Sequence, residues 1–224
     1  MNWNKITIPI ILLLKSYFAL AQCCAGGSGS PIAGGSTQGV LLEGQVELNS
    51  NFQYINTTKF LDGSSPTDNF LDKYSSAYSF TRIAYGLTEK LTISLESGYW
   101  INKTQIGLNK RDTIASHGFG DFILFPRYSV FSIFNDGKQK ELTVGLGIKF
   151  PIGSYNDSTP HIEPFSGQTY YTTKPLVMQN SSGATDIVFY SFYYQGYTAQ
   201  QISFFANAIY IKKGWNPLGE KLGD

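Results

Sequence analysis

The stretch VLLEGQVELNSNFQYI, from Val40 to Ile55, alternates apolar and polar side chains and decides the fold. From position 46 to 54 its even positions carry Val, Leu, Phe and Tyr with one Ser, while its odd positions from 43 to 53 carry Glu, Gln and Asn. A two-residue repeat predicts a β-strand with one apolar and one polar face. Strands of soluble proteins usually have about five or six residues, so this long stretch favours the wall of a barrel with a polar lumen.

The rest of the chain continues this pattern, and no long apolar run follows the N-terminal region. Six further strands are predicted, at Ser75–Tyr85, Leu91–Ile101, Gly120–Phe134, Lys138–Ile152, Asp186–Gln195 and Gln201–Lys212. The last two are more uniformly apolar, so their inward and outward positions stay undecided. A closed barrel of short strands satisfies its own backbone hydrogen bonds in lipid. We therefore expect an all-β, antiparallel up-and-down transmembrane β-barrel over residues 39–224.

Tight connections set the predicted hairpins. Gly86 to Lys90 joins the second and third strands, and pairing Tyr85 with Leu91 puts apolar residues on one face of both. Asn135–Gly137 joins the fourth and fifth strands as a three-residue loop, with glycine at the left-handed position. Pro126 inside the fourth strand predicts a bulge or bend, because its missing N–H interrupts the ladder.

The connections alternate between short and long. The long ones are Asn56–Tyr74, Asn102–Phe119, Gly153–Thr185 and the residues from Lys213 onward. Bacterial barrels have short periplasmic turns and long extracellular loops, and their strand number is even. Seven strands is odd, so we expect the chain to be an N-terminal portion of the barrel, incomplete at its C-terminus.

Composition supports a lipid-facing barrel. Charged residues make up 15% of the chain, against about 25% in ordinary soluble domains, and aromatic residues also make up 15%. Few charged and many aromatic residues suit a barrel in lipid, which has an outward apolar surface bordered by bands of aromatic residues. The net charge is +1, which leaves no basic surplus for binding phosphates, so nucleic acid is excluded as an expected partner. The expected partners are the outer-membrane bilayer and a small-molecule solute; no cofactor is expected, and no oligomeric state is indicated.

The N-terminus resembles a cleaved signal peptide over residues 1–21. A weakly basic start precedes the apolar run from Ile6 to Leu14, and Ala19-Leu20-Ala21 gives an A-x-A site. A membrane anchor and a lipoprotein are the alternatives. Residues 22–38 form a predicted flexible Gly/Ser-rich segment. It contains Cys23 and Cys24, which are weak candidates for binding a soft metal.

Charged and aromatic side chains share the predicted lumen face. The predicted lumen-lining residues are Tyr78, Phe80, Arg82, Glu96, Trp100, Asp121, Phe125, Arg127, Glu141 and Lys149. Asp121 and Lys149 are diagonal neighbours in the predicted register. Mixed-sign charges would set pore selectivity or form salt-bridged filling in a narrow barrel. The aromatic residues would give a path for an aromatic solute or fill the lumen.

Catalysis is not expected. The two histidines, His117 and His161, fall in predicted outer loops. His161 has Ser158 and Glu163 nearby in sequence, but sequence spacing alone does not arrange a nucleophile and a base. We therefore predict that the protein is not an enzyme.

Several motifs together resemble a known family. These are Tyr85–Leu91 (YGLTEKL), Gly118–Asp121 (GFGD), Lys149–Gly153 (KFPIG) and the stretch from Gln179 to Asp186. In order and spacing they are similar to the transporter-like outer-membrane proteins labelled "MetA-pathway of phenol degradation". The resemblance covers the chain from about Gly39 onward. It implies an outer-membrane barrel that passes small aromatic or other apolar molecules, and it implies no catalytic residues.

Three functions follow as expectations. The first is a passive outer-membrane channel for small molecules. The signal peptide would direct export of the chain to that membrane. The alternative is a barrel that does not transport, whose long loops, chiefly Gly153–Thr185, bind a partner or surface ligand. The third is a soluble exported binding barrel similar to a lipocalin.

Overall fold

A computed structural model of the chain describes residues 39–57, 59–62, 64–68, 71–110 and 112–221. The predicted signal peptide at 1–21, the segment 22–38 and the two cysteines Cys23 and Cys24 lie outside the described residues. Within the described part, no helix is both long and apolar enough to cross a membrane.

One antiparallel sheet dominates the fold. The strands, in chain order, are β1 (Val46–Thr57), β2 (Leu61–Asp62), β3 (Ser65–Pro66), β4 (Leu71–Thr88), β5 (Leu91–Gly107), β6 (Thr113–Asn135), β7 (Lys138–Phe150), β8 (Ser158–Ile162), β9 (Thr169–Thr173), β10 (Asp186–Tyr197) and β11 (Ile202–Lys212). Seven of them form the sheet, in the order β1-β4-β5-β6-β7-β10-β11. The sheet curls into an up-and-down half-barrel, which confirms the predicted fold class. The pairs β2–β3 and β8–β9 are separate two-stranded ribbons.

Burial alternates along the central strands, as the two-residue repeat predicts. In β5 the even positions 92–100 are buried on the concave side, whereas Leu95, Tyr99 and Ile101 are exposed on the convex side. β10 resolves the parity that the sequence left undecided: Val188 and Tyr190 face inward. The edge strand β11 is exposed on both of its faces.

The register of the β4–β5 hairpin differs from the prediction by two residues. Tyr85 pairs with Ile93 rather than with Leu91, and Arg82 pairs with Glu96. The reason is a register shift between Gly86 and Thr88, which lets both strands continue to a tight turn at positions 89–90. A slip of two residues keeps every side chain on its predicted face, whereas a slip of one would reverse them all.

The β6–β7 turn is tighter than predicted. Asn135 pairs with Lys138, so the turn consists of Asp136 and Gly137, both with positive φ, of 49° and 69°. Positive φ at both central residues is the type I′ geometry that suits hairpins, and Asp-Gly is a favoured sequence for it. The bulge predicted at Pro126 lies further along β6, between Ser129 and Phe131.

The predicted long loop at Asn102–Phe119 is wrong in extent. β5 continues to Gly107 and β6 begins at Thr113, so the connection between them is only Leu108–Asp112. The long connection between β7 and β10 is present at 151–185, and it contains the β8–β9 ribbon and a 3-10 turn at Leu176–Met178. The β4–β5, β6–β7 and β10–β11 turns lie at one end of the half-barrel, the short-turn end. The β5–β6 connection and the β7–β10 loop lie at the other end, the long-loop end.

Candidate functional site: the concave face

The concave face brings the predicted lumen-lining residues together. The alternation of burial along β4 to β7 places all ten of them on this face, and the buried members are Tyr78, Phe80, Arg82, Glu96, Trp100, Phe125 and Arg127. Asp121, Glu141 and Lys149 are partly buried on the same face. Their placement follows from strand parity, because every second side chain of a strand points to the same side. A role in lining a pore stays a prediction.

Four charged side chains form a group that we call the lower cluster: Glu47, Arg82, Glu96 and Arg127. Arg82 Nη2 donates to Glu47 Oε1 at 2.7 Å. Arg82 lies directly opposite Glu96 across the β4–β5 pair, and Ser94 Oγ lies 3.2 Å from Glu96 Oε1. Arg127 is close enough to interact electrostatically with both glutamates and with Arg82. The cluster thus links β1, β4, β5 and β6 through their side chains.

Aromatic rings cover the next layer toward the long-loop end. Tyr78, Phe80 and Trp100 form one buried apolar group, with the Tyr78 and Trp100 ring centroids 4.3 Å apart. Tyr78 lies over Gly98, where a Cβ would be 1.7 Å from its hydroxyl. Lys103 Nζ is 3.8 Å from the centroid of the Trp100 ring, a cation–π contact.

A second apolar layer fills the concave face beside β10. Phe125, Tyr190 and three further buried side chains form this layer, and the Phe125 and Tyr190 rings meet edge-on at 5.8 Å. Phe125 needs glycine opposite it, because a Cβ at Gly147 would lie 2.6 Å from its ring and one at Gly145 would lie 3.0 Å away. The concave face is therefore closely packed at this level.

The upper cluster consists of Asp121, Lys149, Asp186 and Lys213. Lys149 Nζ lies 2.5 Å from Asp121 Oδ2 and 3.1 Å from Asp186 Oδ2. The contact between Lys149 and Asp121 confirms their predicted diagonal placement. Lys213 Nζ is 3.1 Å from the fully buried Asp186, whose Oδ1 also accepts from the backbone N–H of Gly214 at 3.0 Å. The upper cluster thus attaches the chain after β11 to the wall.

The residues before β1 cover the short-turn end. Leu41 is buried, and its backbone N–H donates to Thr92 Oγ1 at 2.7 Å. Gly44 N–H donates to the Gly86 carbonyl at 2.8 Å. Gly86 has no room for a side chain, because a Cβ there would lie 2.0 Å from the carbonyl oxygen of Leu42. These residues therefore form a lining inside the short-turn end.

The end of the β7–β10 loop covers the long-loop end. Met178 is completely buried, and the buried Gln179, Asn180 and Ser181 follow it. Lys103 Nζ donates to the Gln179 carbonyl at 2.7 Å. Sequence reasoning treated this loop as external, whereas the structure folds part of it into the concave face.

Several residues of the site are not among those predicted from the sequence, including Glu47, Lys103, Gln179, Asp186 and Lys213. The polar face of the first strand carried the signal for Glu47. Lys103 lies past a register shift between Trp100 and Lys103 in the β5–β6 pairing, so simple alternation did not extend to it. Gln179 lies in a loop, where no repeat exists to read.

The residues weighed for catalysis do not converge. His161 stacks on Tyr170, with ring centroids 5.3 Å apart, and Ser158 lies three positions away on the same short strand and so on its opposite face. Glu163 accepts hydrogen bonds from Ser166 and Phe165 in its own turn, and these lower the pKa of its carboxyl, with Ser166 the larger cause. His117 lies in β6 rather than in a loop. Among the described residues, no group of three or more His, Cys, Asp or Glu could hold a metal ion.

Comparison with known proteins gave no match for this chain among protein-family models, curated proteins or solved structures.

Proposed function

We propose that this chain forms the wall of an outer-membrane β-barrel that passes small molecules. One contrast supports the proposal: on three strands a charged side chain is buried while the apolar or aromatic residue next to it in sequence is exposed. The buried charged residues are Arg82 (2% exposed), Glu96 (1%) and Arg127 (2%), and their exposed neighbours are Ile83 (52%), Leu95 (44%) and Tyr128 (47%).

This inversion fits lipid rather than water. In soluble proteins the fully buried positions are mostly apolar, and a fully buried charged side chain is rare and paired. A transmembrane barrel has an outward apolar band and a polar interior, because its solvent outside is hydrocarbon. The inversion recurs on β4, β5 and β6, three adjacent strands of the sheet. It argues against the soluble lipocalin-like barrel.

The close packing of the concave face limits what could pass. Side chains fill its middle, and both of its ends carry chain segments. A small solute with an apolar or aromatic body suits these layers of rings between charged clusters. Export by a cleaved signal peptide and membership of the phenol-degradation family remain predictions from the sequence.

Liposome swelling tests the channel. The barrel is refolded in vesicles and offered sugars and phenols of graded size, and we expect swelling that falls with solute size and favours aromatic solutes. Arg127→Met should change the selectivity, whereas Lys140→Met, an exposed position near a turn, should not. No swelling from a barrel shown to be folded by its heat-modifiable gel mobility would contradict a channel.

The second candidate is a loop that binds a partner outside the barrel. The observation favouring it is the β8–β9 ribbon, where Phe165 is 97% exposed and Ile162 and Tyr171 are each 71% exposed. Deleting 158–173 should then abolish partner capture and leave solute flux unchanged. If the deletion alters flux instead, the loop serves the channel.

A further inference from the structure

Three donors on the wall are held by oxygen atoms of a single loop segment, residues 179–182. Lys103 Nζ donates to the Gln179 carbonyl at 2.7 Å, Trp100 Nε1 to the Asn180 carbonyl at 3.3 Å, and Lys149 Nζ to Ser182 Oγ at 2.8 Å. Two of the three donors are cations, yet all three acceptors in the segment are neutral. The segment therefore satisfies these donors with weaker acceptors than an anion would offer.

The loop holds its own shape by contacts within itself. The Gln179 side chain accepts from Asp157 N–H at 3.0 Å and donates to the Asp157 and Lys174 carbonyls at 3.1 and 3.0 Å. Ser181 N–H donates to the Ser154 carbonyl at 2.9 Å. Because these bonds lie inside the β7–β10 loop, they would survive a movement of the loop as one body.

Fewer bonds tie the loop to the wall, apart from the three donors. Asn180 Nδ2 donates to the His117 carbonyl at 2.8 Å. Lys174 Nζ donates to the Ala115 carbonyl at 2.7 Å and to Ser116 Oγ at 3.1 Å, and Asn216 Nδ2 donates to the Ser182 carbonyl at 3.2 Å. These are the bonds that would break if the loop lifted.

Local charge favours an anion beneath the segment. Lys103 is 4% exposed, and its contacts among the described residues are the Gln179 carbonyl and the Trp100 ring, neither of which is an acid. The carboxylates of Asp121 and Asp186 are already shared with Lys149 and Lys213. On the loop itself, the Asp157 carboxylate accepts from Ser154 Oγ at 2.6 Å. A buried cation without an acidic partner is costly, and a bound carboxylate would relieve that cost.

We propose that Lys103 and Trp100 form a binding site for a small aromatic carboxylate, which residues 179–182 occupy until the solute displaces them. The carboxylate takes the position of the Gln179 carbonyl oxygen on Lys103, while Lys149 keeps its ion pairs with Asp121 and Asp186 when Ser182 leaves it. The aromatic body lies against the Trp100 and Tyr78 rings, which already contact each other in a tilted arrangement, with centroids 4.3 Å apart. The inference rests on the proposed channel and names the solute class of that channel.

Benzoate and its neutral isostere benzamide test the site by calorimetry on the full chain in detergent micelles. We expect benzoate to bind about tenfold more tightly than benzamide, as a charged hydrogen bond is worth more than a neutral one. Lys103→Met should remove this preference, whereas Lys103→Arg, which keeps the charge, should retain it. Lys140→Met is the matched control and should not change it. Equal binding of benzoate and benzamide to the wild type, or an unchanged preference in Lys103→Met, would overturn the site.

Displacement of the loop has its own readout. Hydrogen exchange at the amides of 179–182 should rise when benzoate binds, and Asn180→Ala should tighten benzoate binding severalfold because the covered state loses a bond. Protection that does not change with benzoate would overturn the displacement. Benzoate binding without swelling would contradict only the channel, and swelling without a benzoate preference would contradict only the site.

Discussion

The lower and upper clusters contain the same charges, two acids and two bases each, but they differ in what they connect. The lower cluster, with Arg82 at its centre, joins neighbouring strands of the wall and touches no loop in the contacts above. The upper cluster uses lysine, and it reaches Ser182 in the long loop and Gly214 beyond β11. Arginine offers a planar set of donors that holds fixed geometry, whereas lysine is a flexible point charge. We infer that the lower cluster fixes the wall and the upper cluster attaches movable segments to it.

The largest expected effect tests the lower cluster. Arg82→Met removes the cation between Glu47 and Glu96, and an uncompensated buried charge costs about 3–5 kcal/mol. We expect the free energy of unfolding, measured by urea titration in detergent micelles, to fall by that amount. Ile83→Met is the control on the convex face and should change it little, since volume-conserving apolar replacements cost under about 1.5 kcal/mol. Equal losses in the two variants would remove the distinction between the clusters.

A smaller effect is expected for the upper cluster. Lys149→Met removes its bonds to Asp121 and Ser182, but Lys213 still neutralises Asp186. A hydrogen bond to a charged group is worth about 1.5–3 kcal/mol, which we expect as the loss of stability. Hydrogen exchange should rise at 179–183, while the amides of β4 and β5 stay protected. Faster exchange in β4 and β5 would show that this cluster, too, holds the wall together.

The smallest effect is expected at an exposed carboxylate outside both clusters. The pKa of Glu163 lies below its ordinary value of 4.5, because Ser166 and the Phe165 N–H donate to it. A lowered folded pKa means that the stabilisation is complete above about pH 4.5 and is lost as the pH falls through the folded pKa. Amide exchange at positions 165 and 166 should therefore accelerate on acidification. Glu163→Gln should show no such step, and an identical step in that variant would assign the effect to another group.

Strand parity explains how much of the site the sequence could reveal. A two-residue repeat places Arg82, Glu96 and Arg127 on one face of the sheet, and a register slip of two residues leaves them on that face. The register itself could not be fixed, since Tyr85 finds an apolar partner at Leu91 or at Ile93. The register shift between Gly86 and Thr88 selects Ile93 as the partner, and no side-chain pattern predicts this shift.

The loop contribution could not be predicted for a different reason. Met178, Gln179 and Asn180 lie in a stretch without periodicity, so neither their burial nor their partners follow from spacing. The C-terminal part of β5 could not be predicted for the same reason, because its residues are mostly polar. Asn102 to Gly107 lacks strict alternation, and the backbone ladder with β4 holds it in the sheet instead. Tertiary pairing overrides a weak local pattern in such places.

The two open edges of the sheet, β1 and β11, run in the same direction, whereas neighbouring strands of this sheet run in opposite directions. Every pairing from β1 through β11 is antiparallel, and the sheet has seven strands, so its first and last strands point the same way. Joining β1 directly to β11 would create a parallel seam, and so would a second half-barrel inserted in the same orientation. An all-antiparallel closure needs an odd number of strands between these edges, which yields the even total typical of bacterial barrels. The direction of its edges thus makes this half-barrel complementary to an odd-numbered set of strands whose first and last strands run opposite to β1 and β11, and not to its own copy in the same orientation.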